Sequence, residues 1–282
     1  MWIPPADDAI EGVRMYRVSN FENNDDVQVL EEQGQFRVIE WQRDLSVMPW
    51  SAEVAYFSSE MNVRRRQLLI NLDGTIGAIL QAGAMQWTVG DVQASTGVKG
   101  VGDFMGKMFK GAVSQDSIIK PEYTGSGMVV CEPTWQHILL LNTAAWGGSI
   151  VLNDGLFLAS DGTLQQNLQR RSNLSSAVAG NEGLFNLRLD GNGDVALESP
   201  CPKQEIVIID LQNDVLKIDG NYALAWSSTL DFTVERSGKS LIGSAVSGEG
   251  LVNVYRGTGR VLLAPMQAAT SYNTYAPDPT DA

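Results

Sequence analysis

Apolar and polar residues alternate along much of this chain. Phe185, Leu187 and Leu189 are separated by Asn186 and Arg188, and Val252 and Val254 flank Asn253. A period of two puts every second side chain on one sheet face. Short apolar runs, Ile138–Leu141 and Ile206–Ile209, have strand length. Turn clusters separate them: Asn71-Leu72-Asp73-Gly74, Asn153-Asp154-Gly155, Asp190-Gly191-Asn192-Gly193 and Gly257-Thr258-Gly259. The pattern predicts an all-β protein. One stretch departs from it. In Val98–Ala112, the residues Phe104, Met105, Met108, Phe109 and Ala112 share one helical face, with Asp103 as a candidate N-cap. A short amphipathic helix is predicted there.

The strands recur in groups. Phe36–Arg66 matches Ile206–Arg236 without gaps, and Ile150–Ser172 matches Val215–Ser237. In the second match Asp154-Gly155 falls on Asp219-Gly220 and Arg171-Ser172 on Arg236-Ser237. Ser175–Asn186 then matches Gly243–Asn253 with one inserted residue. Gly125-Ser126-Gly127 closes the first copy as Gly191-Asn192-Gly193 and Gly257-Thr258-Gly259 close the others. We therefore expect three units, 36–137, 138–200 and 206–265, about a pseudo-threefold axis. The first carries an insertion at 71–122 that holds the helix. Units of this size bury their apolar faces on one another. The body spans 21–266; residues 1–20 and 267–282 read as mobile tails.

These strings carry a resemblance. GVKGVGDFMGKMFKG, RSNLSSAVAGNEGLF and GSAVSGEGLVNVYRGTGRVLLAP (Gly243–Pro265), in this order and spacing, resemble bacterial relatives of the mitochondrial biogenesis family named for altered inheritance of mitochondria. The resemblance covers about residues 20–266. It implies an all-β fold similar to the trp RNA-binding attenuation protein and to shortened double-stranded β-helices. It implies no established activity. Mitochondrial relatives are associated with inner-membrane organisation, but no transit peptide is read here.

Composition narrows the chemistry. The chain has 282 residues, one His, two Cys and a net charge of -13. One His excludes sites needing two imidazoles, and two Cys exclude a thiolate zinc site or a disulfide scaffold. The charge argues against nucleic-acid binding through a basic field. It is uneven: residues 1–60 hold 12 acids and 4 Arg. That surface reads as a solvated face that keeps the protein soluble. The N-terminus has no signal-peptide pattern and no stretch has the length of a membrane span, so a cytoplasmic location is expected.

No catalytic constellation emerges. His137 lacks a G-x-S-x-G partner and reads as an ordinary strand residue. Cys131 and Cys201 read as buried, inert thiols. Gly97–Lys107 fails both the P-loop and the G-x-G-x-x-G spacings. Asp190–Asp194 lacks the later residues of a calcium loop and reads as a hairpin turn. Glu182 and Glu249, equivalent in the repeats, read as strand-start residues. Arg64-Arg65-Arg66 is the densest basic run; the recurrent Arg66, Arg171 and Arg236 are expected to pair with Asp44 and Asp214. No catalytic, metal or cofactor residue is assigned. The candidate interaction residues are Lys99, Phe104, Met105, Lys107, Met108, Phe109 and Lys110 in the insertion. The expected role is a noncatalytic binding or assembly scaffold that self-associates or takes a protein partner, with no nucleic acid. A small-molecule binder or enzyme using a cleft between units is the alternative, and weak membrane-surface association through 98–112 a further one.

Overall fold

The computed structural model describes residues 16–95, 120–170, 185–236 and 251–266. Strands β1 (Val27–Gln33) and β2 (Phe36–Trp41) form a hairpin. A 3-10 turn at Pro49–Ser51 and helix α1 (Ala52–Glu60) then precede β3 (Arg66–Asp73). The remaining strands are β4 (Ala78–Leu80), β5 (Met85–Ser95), β6 (Glu122–Cys131), β7 (His137–Asn142), β8 (Ser149–Leu152), β9 (Phe157–Asp161), β10 (Gln165–Arg170), β11 (Phe185–Asp190), β12 (Asp194–Ser199), β13 (Val207–Asp219), β14 (Ala223–Ser227), β15 (Asp231–Arg236) and β16 (Leu251–Leu263). The expected all-β fold is present. A nine-stranded sheet runs β1-β2-β3-β6-β4-β9-β12-β7, with β5 on β6. A seven-stranded sheet runs β10-β11-β8-β14-β16-β13, with β15 on β16.

Successive apolar cores explain the run Ile138–Leu141, whereas in the run Ile206–Ile209 Val207 and Ile208 are exposed. Ile138 and Leu140 of β7 face a core formed with Leu68, Ile70, Val129 and Leu158. Leu139, between them, faces a second core with Ile150, Leu152, Leu189, Val195 and Leu262, which joins the two sheets. Val151, next to Ile150 and Leu152, faces a third core with Trp226, Phe232, Tyr255 and Val261. A strand buried on both faces needs apolar residues at every position, so it reads as a run and not as an alternation.

The second and third groups of strands share a pairing scheme. β16 lies between β13 and the pair β14 and β15. Likewise β11 lies between β8 and β10, and β12 between β7 and β9. The same glycine makes the turn in each: Gly191 has φ 117° and Gly257 φ 118°. Their neighbours correspond, Leu164 beside Gly191 and Leu230 beside Gly257. Such a φ is costly for any residue with a Cβ.

The ungapped match of Phe36–Arg66 to Ile206–Arg236 does not hold in space. It lays α1 on β14, a helix on a buried strand. Residues 45–63 leave the sheet altogether. The described parts of the predicted insertion are largely sheet, because β5 pairs with β6 along its length. The helix predicted in Val98–Ala112 lies outside the described residues; the α-helix present among them is α1.

Candidate interaction surface

Helix α1 is built by local signals. Pro49 opens the preceding 3-10 turn, and Ser51 Oγ donates to the Met48 carbonyl at 3.1 Å. The helix ends in a Schellman motif: Val63 N–H donates to Ser58 O at 2.8 Å and Asn62 N–H to Ser59 O at 3.1 Å. Asn62 takes the left-handed position at φ 60°. Its side-chain amide makes it, after glycine, a residue suited to that conformation.

The helix is inverted relative to an ordinary surface helix. Ala55, Ser58 and Ser59 form its partly buried face, and no residue of α1 is fully buried. Ser59 Oγ anchors it to the Gln42 carbonyl at 3.5 Å. The opposite face carries Trp50, Val54, Phe57 and Met61, which are 81%, 69%, 59% and 76% exposed. Their spacing, i, i+4, i+7 and i+11, is a seam of the kind that packs against another element. Tyr56 stacks edge-on against Phe57 with ring centroids 5.4 Å apart. Leu45, Met48 and Trp135 extend the exposed apolar surface. Residues 44–63 contain Asp44, Glu53 and Glu60, and Arg43, Arg64 and Arg65 flank them.

Beside this corner lies a cleft of about 610 Å³, lined by Phe21, Trp41, Trp87, Arg43, Arg65 and Gln67 among others. Phe21 sits 6.1 Å from the Trp41 ring and 5.4 Å from the Trp87 ring. Trp41 Nε1 donates to Gln67 Oε1 at 2.7 Å, and Gln67 Nε2 donates to Gln86 Oε1 and to the Cys131 carbonyl, each at 3.0 Å. The cations are matched: Arg43 pairs with Asp26, and Arg65 pairs with Asp44 while lying 5.4 Å over the Trp135 ring.

The basic run has a different partner from the one expected. Arg66 is buried and pairs with Glu40, its cross-strand neighbour, at 2.7 Å. Asp44 pairs instead with Arg65. Asp214 accepts from the backbone N–H of Val215. Pairing follows strand register, which places Glu40 opposite Arg66, while Asp44 lies beyond the end of β2. Arg64 also reaches Glu40, at 3.4 Å, and bonds Gln42. The run is thus part of the scaffold and not an open basic patch. His137 lies near this pair; burial, and then the Arg66 charge, lower its pKa to about 4. It stands as a neutral imidazole at the start of β7.

Both thiols are free and buried. Burial pushes Cys131 up to about 12 and Cys201 also upward, so neither is a ready nucleophile. Asp190 and Asp194 serve separate ends of their turn. Asp190 bonds Ser149, Arg188 and Asn167. Asp194 accepts from Gln33 at 2.8 Å and Asn142 at 2.6 Å. No cluster of three or more potential metal ligands occurs among the described residues. No described helix is long and apolar enough to cross a membrane.

Lys99, Phe104, Met105, Lys107, Met108, Phe109 and Lys110 all lie outside the described residues, as do Glu182, Glu249 and Arg171. The α1 surface was missed by the strand-repeat reading. Its signal was the spacing of Trp50, Val54, Phe57 and Met61, together with the Pro49 start.

Comparison with known proteins gives three findings. The family model described as Mitochondrial biogenesis AIM24 matches residues 59–266. An uncharacterized protein of Streptococcus pyogenes serotype M6 is 28% identical over 221 residues, covering 74% of this chain and 86% of the relative. A crystal structure of a Streptococcus pyogenes protein superposes with a TM-score of 0.54 at 23% identity, covering 86% of this chain and 94% of that one. The last likeness concerns the fold.

Proposed function

The chain belongs to the Mitochondrial biogenesis AIM24 family, and from that premise we propose that it is a noncatalytic binding and assembly module whose working surface is the α1 corner. One observation carries the reading: a helix closed by a C-terminal Schellman motif turns its small residues inward and Trp50, Val54, Phe57 and Met61 outward. A contiguous apolar patch of this kind marks an interaction site. The buried thiols, the neutral His137 and the internally paired arginines support a noncatalytic role. The three-unit arrangement about a pseudo-threefold axis is the scaffold we propose for presenting this corner.

The test is light scattering of the full chain over a range of concentrations, alongside W50S/F57S. Concentration-dependent assembly by the wild type, lost in the variant, is the expected result. Identical, strictly monomeric behaviour of both proteins would overturn the assembly reading.

The cleft supports a second reading, a small-molecule site beside the corner. Its size lies in the range of ligand pockets, and three aromatic rings line it. Trp41 and Trp87 fluorescence would report occupancy. A fluorescence screen without any saturable change would reject this reading.

A further inference from the structure

We propose that the cleft beside α1 binds a neutral oligosaccharide. This rests on the cleft being a small-molecule site and names the class of ligand it takes.

The aromatic wall of the cleft is bent. Phe21 meets Trp41 at an interplanar angle of 50° and Trp87 at 60°, so these rings do not face one another as a parallel slot. Phe21 and Trp87 pack on Leu69, Met128 and Val130. Trp41 is fixed by the buried Gln67. All three rings are half-buried and line the cleft with the surface that remains. A flat aromatic ligand gains most between parallel rings. A puckered sugar ring needs one exposed aromatic face, where its C–H groups meet the negative π-cloud.

The polar lining is mixed and electrically balanced. Asp26 and Asp44 offset Arg43 and Arg65 within the cleft. An ionic ligand therefore gains no net attraction there. A sugar hydroxyl is one donor and two acceptors, so it is matched by donors and acceptors standing side by side. The cleft offers both. Among the described residues Arg43 bonds Asp26 through Nε alone, which leaves Nη1 and Nη2 as donors. Asp26 receives that bond on Oδ1 and keeps Oδ2 as an acceptor. Asn24 uses Oδ1 on the Asp26 N–H, and Gln86 uses Oε1 on Gln67, so each amide keeps its nitrogen as a donor. These same bonds hold the side chains in place before any ligand arrives, which lowers the ordering cost of binding. The volume of the cleft suits a ligand of drug-like size, the size of a short oligosaccharide.

Calorimetric titration of the full chain with maltotetraose, cellotetraose, xylotetraose and chitotetraose tests this. Saturable binding of at least one of them is expected, with the same affinity at low and high salt because no net charge is neutralised. Tryptophan fluorescence should follow the same curve. Arg43→Ala and Gln86→Ala remove exposed side chains and keep the fold. The first should weaken binding about tenfold, as expected for a lost hydrogen bond to a charged group, and the second severalfold. Trp87→Ala should abolish binding, with far-ultraviolet circular dichroism checking that the chain still folds. If the tetrasaccharides do not bind while adenosine, benzamidine or phenyl phosphate changes the fluorescence saturably, the cleft is a small-molecule site and the named class is wrong. If no probe gives a saturable change, both readings fall. Sugar binding that Arg43→Ala and Gln86→Ala leave intact would put the sugar outside the cleft and overturn the proposal.

Discussion

Strand β7 and helix α1 both carry large apolar side chains and use them in opposite ways. In β7, Ile138, Leu139 and Leu140 are all buried because a core lies on each side of the strand. In α1, Val54, Tyr56 and Phe57 are exposed and the helix meets the body through Ala55, Ser58 and Ser59. Apolar content alone therefore does not locate the core. The decisive quantity is which face the neighbouring backbone holds inward. For β7 both faces are fixed by pairing with β12; for α1 one edge is fixed by its caps and by Ser59. Apolar area left outward by such a helix stabilises contact with a partner rather than the monomer.

The comparison breaks most visibly at the core. Trp226 is fully buried, with Phe232 and Tyr255 rings each 5.3 Å away. Trp226→Ala is expected to cost about 3–5 kcal/mol, from lost burial and the cavity left behind. Urea unfolding measures it. A cost under about 1 kcal/mol would show that the third core is not the packed cluster described.

The next effect concerns the shared turns. Gly191→Ala and Gly257→Ala each force a Cβ onto a backbone at φ near 118°. Each should cost about 1–3 kcal/mol. Leu164 lies 3.3 Å from the Cβ position at Gly191, against 3.9 Å for Leu230 at Gly257, so Gly191→Ala is expected to be the worse. Thermal unfolding of the two variants side by side gives the ranking. Losses of very different size would deny that the two turns are equivalent.

At His137 the comparison becomes one of pH. Its folded-state pKa is lowered to about 4, against about 6.5 in the unfolded chain. Between those values the unfolded chain takes up a proton that the folded chain refuses. Stability from this site is therefore complete above pH 6.5 and falls as the pH drops toward 4. The loss at pH 5 is about 1–2 kcal/mol after allowance for partial exposure. His137→Gln should flatten this part of the stability profile. Asp161, raised mainly by burial, works in the opposite direction in acid, so the informative quantity is the difference between variant and wild type. Parallel profiles would show that His137 protonates freely in the folded protein.

Much of the fold was legible in the sequence because its signals are local. The Asp154-Gly155 and Asp219-Gly220 turns and the Gly191 and Gly257 turns need particular residues at particular positions, and they appear where the spacing put them. The partner of Arg66 was not legible. It is set by the register of β2 against β3, which brings Glu40 opposite and leaves Asp44 to Arg65. The α1 surface was hidden for another reason. The ungapped match aligns 52–60 with the buried strand β14, and the similarity of residue types along it does not carry the difference between strand and helix. Composition could not have revealed it, since the same residues would serve equally in a core.

The smallest expected change in stability is at α1, and it is the sharpest test of the contrast. Phe57 is 59% exposed and its ring meets that of Tyr56. Phe57→Ser should therefore shift the unfolding free energy of the monomer by no more than about 0.5 kcal/mol, the range of ordinary surface substitutions. The measurement is urea unfolding at a concentration low enough to hold the wild type as a monomer. Repeated at high concentration, the wild type should gain apparent stability by mass action while Phe57→Ser does not, because only the wild type retains the complete seam for association. A loss of about 3 kcal/mol at low concentration would mean that Phe57 packs inside its own molecule. The helix would then be an ordinary part of the core, and the opposition between β7 and α1 would disappear.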